Sequence, residues 1–315
     1  MSLDLVVLGN LLVDDVVLRD GRTRMAEPGG AALYAALGAR LWGLRVGIVS
    51  VRGDEYPAEA LDLMARRGVA LDGVRSLGRP GLRTWLLYEG ARRHLVHRLE
   101  GPTHAEVSPL PDSIPPEWRE ARAFHLCPMP IEVQGALVEA LQSRFLSLDP
   151  FLLLRPDTLE AWRGLLPRVD ALFLSEDEME LPDGQDLCDL AAGRLATIVF
   201  KRGARGGTLF TGGGDGVIID PPPYPSPRRG RETQLRERLR AFCWEPRAAE
   251  VVDPTGAGDA FAAGVLAGWL RGEPHERALQ RGIVGASFAI EDWGPAGIFR
   301  ATPEAAEARL RAWFG

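Results

Sequence analysis

Lysine and asparagine are almost missing from this chain. Lys201 and Asn10 are the sole examples among 315 residues, and arginine supplies the rest of the positive charge. Cysteine is scarce too. Cys127, Cys188 and Cys243 are odd in number and far apart. That excludes a disulfide framework and leaves no Cys-x-x-Cys or Cys/His spacing for zinc. No apolar run reaches the length of a membrane span. Met1 to Gly9 lacks the basic start and long apolar core of a secretion signal. The expectation is a cytoplasmic protein with no membrane partner. A net charge of −6, with no long run of one sign, argues against a nucleic-acid partner.

What is present suits a large globular core: 46% of the residues are hydrophobic and 25% charged. Leu3 to Leu8 is an apolar run ending at Gly9-Asn10, which predicts a buried first strand. Leu11 to Glu27 mixes alternation with charge and turn residues, the pattern of a small exposed sheet. Pro28-Gly29-Gly30 opens an Ala/Leu-rich helix over Ala31 to Trp42. Val46 to Val51 reads as a strand, and Ala58 to Arg67 as a helix closed by Gly68. Arg83 to Tyr88 and Arg92 to Leu99 read as a hairpin.

From Ala123 the rhythm changes. The short apolar runs Ala123 to Cys127, Phe145 to Leu148, Ala171 to Leu174 and Thr197 to Lys201 alternate with helical patterns. Those patterns lie at Ile131 to Gln142, Thr158 to Leu165 and, less distinctly, Gln185 to Arg194. Such alternation predicts βαβ units and a parallel sheet covered on both faces. Gly206 to Phe210 and Gly216 to Ile219 suggest a further hairpin. Gly256 to Trp269, Pro274 to Ile290 and Pro303 to Phe314 read as helices. Pro221 to Arg247 opens on prolines and continues into arginines. It is expected to be a peripheral insertion whose basic part could form a short helix; a flap over a phosphate-bearing ligand is the sharper alternative.

The strongest chemical signal is Asp253-Pro254-Thr255-Gly256-Ala257-Gly258-Asp259-Ala260-Phe261, directly before an apolar helix. Gly256 and Gly258 lack a Cβ, so their amides can approach a ligand closely. At a helix start these amides have no intrahelical acceptor, and the helix dipole favours negative charge. Together they make a cradle for a transferring phosphoryl group. Asp259, in the same turn, can accept a proton from a substrate hydroxyl.

This stretch resembles the C-terminal signature of the ribokinase-like, or PfkB, carbohydrate and nucleoside kinases. Other segments agree in order across nearly the whole chain. Gly9-Asn10-Leu11-Leu12-Val13-Asp14 is similar to the family's first strand, whose acidic end binds substrate hydroxyls. Gly29-Gly30 is similar to its N-terminal diglycine hinge. Ser175-Glu176-Asp177-Glu178 stands where the family carries Asn-x-x-Glu, which organises magnesium and phosphates. Lys201-Arg202-Gly203-Ala204-Arg205-Gly206 resembles the strand and glycine turn that line the nucleotide. Leu33 and Tyr34 occupy the stretch after the diglycine where the family usually has an asparagine.

The resemblance implies a doubly wound α/β fold with a mostly parallel sheet and a small β lid from residues 11–27 and 83–99. It implies ATP and Mg²⁺ as cofactors and a sugar, polyol or nucleoside as acceptor. Asp259 is then the base, with Gly256, Ala257 and Gly258 at the phosphoryl group. Asp14, Asn10, Gly29 and Gly30 meet the acceptor. Lys201, Gly203, Gly206 and Ser175 meet the nucleotide. Glu178 serves Mg²⁺ through water, and Asp253 stands where a monovalent cation such as K⁺ would bind. Pairing of lid strands between two copies, giving a homodimer, is a further implication. Tyr34 and Trp85 are aromatics that could stack a base or pack a lid. A non-catalytic ligand-binding homologue is the reading that the intact Asp259 and its glycines disfavour.

Overall fold

Leu5–Leu8 consists of four apolar residues, all fully buried, as expected of a central strand covered on both faces. It opens a computed structural model that describes residues 2–89, 92–141, 145–180, 195–212 and 239–315. The chain divides into two units, Met1–Arg144 with Arg247–Gly315, and Phe145–Pro246.

The first unit begins with β1 (Leu5–Leu8), β2 (Leu12–Val17), β3 (Thr23–Gly29) and α1 (Ala31–Arg40). There follow β4 (Val46–Arg52), α2 (Ala58–Arg66), β5 (Val69–Ser76), β6 (Arg83–Glu89), β7 (Arg92–His97), β8 (Ala123–Leu126) and α3 (Ile131–Ala140). Strands β8, β1, β4 and β5 form a parallel sheet in that order. Strand β5 was not foreseen, because Val69–Ser76 shows no clean alternation and is largely unburied. Strands β3, β2, β6 and β7 form a separate small sheet. Within it β2 runs parallel to β6, while the β2–β3 and β6–β7 pairs are antiparallel, the latter being the expected hairpin.

In the second unit β9 (Leu146–Leu148), α4 (Leu159–Leu165), β10 (Ala171–Ser175) and β11 (Thr197–Lys201) continue the strand–helix rhythm. Strands β9, β10 and β11 are parallel. Then β12 (Gly207–Gly212) and β13 (Leu239–Trp244) add antiparallel strands at one side. Leu239–Trp244 is thus a strand, not the tail of a basic helix or loop. Its arginine and neighbouring Arg-Glu pairs mimic an exposed helix, but the partner edge of β12 decides. The expected helix at 185–194, the expected strand at 216–219 and most of the insertion fall outside the described residues.

The chain ends, back in the first unit, with α5 (Ala257–Leu270), α6 (His275–Ile290), α7 (Ala296–Arg300) and α8 (Pro303–Phe314). Two small-residue faces bring α1 and α5 together. A Cβ on Gly38 would stand 3.0 Å from the Ala263 side chain and 3.1 Å from the Ala260 backbone. Tyr34 lies one turn before Gly38, so the same contact carries its ring toward the start of α5. Among the described residues no helix is long and apolar enough to cross a membrane.

Candidate active site

Gly256 is the N-cap of α5 and adopts φ 76°, a left-handed conformation that a residue with a side chain resists. A Cβ there would lie 2.2 Å from the ring of Tyr34, so the turn rests directly on that aromatic face. Asp253 builds the turn from below. It is fully buried, and its Oδ1 accepts from the Thr255 amide at 2.9 Å and the Thr255 hydroxyl at 2.6 Å. Its Oδ2 accepts from the Gly294 amide at 2.9 Å. Asp253, expected beside a monovalent cation, therefore anchors the backbone that holds the signature. Ala257, Gly258 and Asp259 occupy the first turn of α5 and are half-buried, which leaves that turn accessible.

The small sheet faces this turn with one of its two sides. Side chains alternate along a strand, and paired residues point the same way. Asp14 pairs with Thr84, and Tyr88 with Arg93, so these four share a face. The Tyr88 hydroxyl meets Thr255 Oγ1 at 2.8 Å. Asp15 pairs with Trp85, and Trp85 with Val96, on the opposite side. Trp85 is 47% exposed there and cannot share a pocket with Asp14.

Asp14 is 5% exposed, and its carboxylate accepts no hydrogen bond among the described residues. A Cβ on Gly29 would fall 1.9 Å from its Oδ2, so the carboxylate lies flat on that glycine. Gly30 follows at φ 102°, with the Asn10 carbonyl 2.1 Å from where a Cβ would be. Burial pushes the Asp14 carboxyl well above its ordinary range; Arg93 opposes this, while Asp253, Asp15 and Asp259 add to it. Tyr34 is 2% exposed, and burial, then the charges of Asp14 and Asp253, drive its phenol far above the usual tyrosine range. Tyr56 donates to the Gly29 carbonyl at 3.5 Å and is raised by burial and by Asp14. Asn10 is buried with its amide engaged: Nδ2 lies 3.0 Å from His104 Nδ1, and Oδ1 accepts from Ser108 at 3.1 Å. Burial, with His97 second, lowers the His104 pKa to about 4, so that imidazole is neutral at pH 7.

In the second unit Lys201 ends β11, and its Nζ lies 3.1 Å from both oxygens of buried Asp149. Both residues stand at carboxyl ends of parallel strands, where open α/β sheets place ligands. The turn after Lys201 closes through Arg202 N–H to the Gly206 carbonyl at 2.8 Å and Gly206 N–H to the Gly203 carbonyl at 3.1 Å. A Cβ on Gly206 would strike the Trp244 carbonyl at 2.0 Å. Ser175 ends β10, and its amide donates to Glu178 Oε2 at 2.6 Å. Glu176 pairs with Arg205. No three His, Cys, Asp or Glu side chains cluster as a metal cage among the described residues. A magnesium ion held by phosphates, water and one carboxylate needs no such cage.

Sequence reasoning missed Tyr88, Arg93 and Asp149. Tyr88 and Arg93 carry no local motif; they meet only because the hairpin register sets them opposite each other. Asp149 could have been found: it is an acidic residue directly after a buried strand, the same signal that pointed to Asp14.

The model of the pfkB family of carbohydrate kinases matches residues 231–299, which include the signature turn. A cytidine kinase of Thermococcus kodakarensis is 30% identical, with 93% of this chain and 98% of that protein covered. A fructokinase of Escherichia coli is 27% identical over 85% of each. The structure of an Escherichia coli chain named Ribokinase II, in complex with ATP and Mg²⁺, shares the fold, with a TM-score of 0.68 and 18% identity. It covers 99% of this chain and 100% of that one. With a 30% identical relative matched nearly end to end, the chain belongs to the pfkB family of carbohydrate kinases.

Proposed function

We propose that this protein transfers the γ-phosphoryl group of ATP to a hydroxyl of a sugar or sugar-like small molecule. The observation that carries the reading is the left-handed Gly256 turn, with Asp259 in the first turn of α5 and the Asp14 face of the small sheet tied to it through Tyr88 and Thr255. In this reading the acceptor hydroxyl lies against Asp259. Its oxygen forms the new P–O bond, the bond from the γ-phosphorus to the bridging oxygen of ADP breaks, and the proton passes to the Asp259 carboxylate. The amides of the Gly256–Gly258 turn face the charge that develops on the phosphoryl oxygens. Asp14 holds the acceptor and leaves the reacting hydroxyl toward Asp259.

Lys201 serves as the point charge for the nucleotide phosphates, and Asp149 fixes its ammonium. Glu178, through water, is the carboxylate assigned to the Mg²⁺ that accompanies ATP and screens its phosphate charge. The small sheet acts as a lid that excludes water, the competing acceptor. A nucleoside acceptor, phosphorylated on its ribose, is the second reading. The 30% identical cytidine kinase, covered over 98% of its length, favours it.

The test is a panel of sugars, polyols and nucleosides incubated with ATP and Mg²⁺, read by ADP release and by product mass. One class should be phosphorylated. The Asp259→Asn enzyme should then lose about two to four decades of kcat with its melting temperature unchanged. No transfer to any of the panel, or a variant kcat within threefold of the parent, overturns the proposal.

A further inference from the structure

Three arginines of the first unit meet away from the Gly256 turn, and no carboxylate answers them among the described residues. Arg40 stands in the last turn of α1, Arg66 in the last turn of α2, and Arg67 caps α2. They line one open cavity of about 160 Å³, whose apolar wall includes the buried residues Leu37, Leu41 and Ile298. Arg40 is fixed in place: Nε donates to the Arg67 carbonyl at 2.9 Å and Nη1 to the Leu44 carbonyl at 2.5 Å. Arg67 Nη2 donates to the Ala301 carbonyl. These acceptors are all neutral backbone oxygens. Arg66 is exposed and makes no hydrogen bond or ion pair among the described residues. Taking a charge out of water is costly unless an opposite charge meets it, and other arginines of this unit follow that rule. Arg281, 4% exposed, has Glu273 and Glu307; Arg83 has Asp15; Arg309 has Glu291. Arg40 has the reverse: burial, then the charge of Arg67, lowers its pKa. The carboxyl ends of α1 and α2 favour a cation in the last turn. That explains Arg40 and Arg66 one by one, not Arg67 or the cavity that the three share. Glu304, exposed at the start of α8, feels the charge of Arg67 but makes no ion pair with it among the described residues.

We propose that the cavity between Arg40, Arg66 and Arg67 binds a phosphate-sized anion, either inorganic phosphate or the phosphoryl end of a small phosphate monoester. Three guanidinium groups call for a ligand with about two negative charges and several acceptor oxygens, and their forks match a phosphate in pairs of hydrogen bonds. A monocarboxylate would leave most of that charge unmatched. Arg40 and Arg67 are already held by backbone carbonyls, so little side-chain freedom is lost when an anion arrives. Arg66, on the exposed rim, supplies the third cation. A cavity of about 160 Å³ is smaller than the roughly 300–1,000 Å³ of pockets for larger ligands, so a whole nucleotide is excluded. The apolar wall has room for a few carbons beside the phosphoryl group. The site is separate from the candidate active site. Arg40 lies about 9 Å along the axis of α1 from Tyr34, the residue on which the Gly256 turn rests. The proposal goes beyond the kinase reading and does not depend on it.

The experiment is isothermal titration of the whole protein with inorganic phosphate, glycerol 3-phosphate and acetate, at an ionic strength fixed with chloride. The parent should bind at least one of the two phosphate ligands saturably at millimolar concentration or below, and acetate about tenfold more weakly or worse. Arg66→Glu removes no contact of the folded chain and reverses one of the three charges. It should weaken that binding about tenfold or more, with a melting temperature in phosphate-free buffer close to that of the parent. If Arg66→Glu does not fold, Arg67→Gln, whose amide can still donate to the Ala301 carbonyl, takes its place with the same expected loss. Glycerol 3-phosphate binding more tightly than phosphate identifies the ligand as a phosphorylated small molecule that uses the apolar wall. Equal or weaker binding of the monoester identifies inorganic phosphate. An unchanged phosphate affinity in Arg66→Glu puts the anion elsewhere and overturns the proposal. So does acetate that binds as well as phosphate, or a parent that binds neither phosphate ligand. Binding is read without turnover, so a failure of this site leaves the kinase reading standing, and a failure of the kinase reading leaves this site standing.

Discussion

Asp14 and Asp15 are consecutive on one strand and almost equally buried, yet they live in opposite worlds. Asp15 receives three donors: Arg83 Nε at 2.6 Å, Arg83 Nη2 at 2.7 Å and the Ala26 amide at 2.8 Å. Burial raises its pKa, but the Arg83 and Ala26 hydrogen bonds outweigh that and leave it lowered. Asp14 receives no donor from the described residues, and burial leaves it raised. One face of the small sheet meets its carboxylate with donors from the protein, and the other leaves its carboxyl to the acceptor in the proposed reading. A carboxylate whose partners all come from the protein is structural; one denied them waits for a ligand.

The widest separation should come from the two aspartates themselves. Asp14→Asn keeps the shape and removes the charge. Assayed at a pH where the parent carboxyl is ionised, its kcat/KM for the acceptor should fall at least 100-fold, with the KM for ATP nearly unchanged, because a charge-assisted hydrogen bond is lost where water cannot replace it. Asp15→Asn should leave kcat/KM within threefold. Steady-state kinetics on both variants check this, and the reverse pattern would put the acceptor on the Trp85 side of the sheet.

Gly29→Ala probes the same pocket from its wall. The new Cβ would lie 1.9 Å from Asp14 Oδ2, so the carboxylate must rotate away. The atom displaced is the end of a side chain, and Gly29 does not need a left-handed backbone. Acceptor kcat/KM should drop about tenfold to thirtyfold while stability changes by less than about 1 kcal/mol. A large loss of stability with intact kinetics would mean that Gly29 serves packing and not the pocket.

Asp15→Ala should do the opposite and unsettle the fold. It strips two hydrogen bonds from Arg83 and one from the Ala26 amide. Arg83 is partly exposed, its side chain at 30%, so water recovers part of the loss. About 2 kcal/mol of destabilisation in urea melts is expected. A change below about 0.5 kcal/mol would show that the pair is no anchor.

How much of this contrast could be read from the sequence differs between fold and site. Thr197–Lys201 and Pro303–Phe314 were legible to the residue, because a buried run and a Thr-Pro start leave little choice. The glycine turn was legible because Gly256 must adopt a left-handed conformation against an aromatic ring, and only glycine does so without strain. Leu239–Trp244 was not, since its pairing with β12 outweighs a local pattern that favours helix. Nor was the division of labour at Asp14-Asp15. Both look alike in one dimension; Arg83 lies 68 positions beyond Asp15 and reaches it only through the register of β2 with β6. Tyr34 was visible as a departure from the family pattern.

The smallest effect separates the two carboxylates by pH. The folded-state pKa of Asp14 is raised above its ordinary value of 3.8, with burial as the first cause. Below 3.8 the group is protonated both folded and unfolded, and it costs nothing. Above 3.8 the unfolded chain releases the proton while the folded chain still holds it. Stability must therefore fall as pH rises toward the folded pKa, by at most about 1.4 kcal/mol per pH unit. The asparagine of the Asp14→Asn variant carries no proton to release, and any fixed cost of burying its amide is the same at every pH. The melting-temperature difference, Asp14→Asn minus parent, should thus grow in favour of the variant as pH rises from about 4 toward the folded pKa of the carboxyl. Asp15 has the opposite sign, since its folded pKa is lowered: its contribution is present above the unfolded value and lost as pH falls through the folded one. The difference for Asp15→Asn should run against the variant above about pH 4 and shrink in acid. Scanning calorimetry of the three proteins across that range decides the matter. Parallel pH curves for Asp14→Asn and the parent would mean that the Asp14 carboxyl is solvated after all, and this side of the sheet would lose its claim to a buried carboxyl without a protein donor.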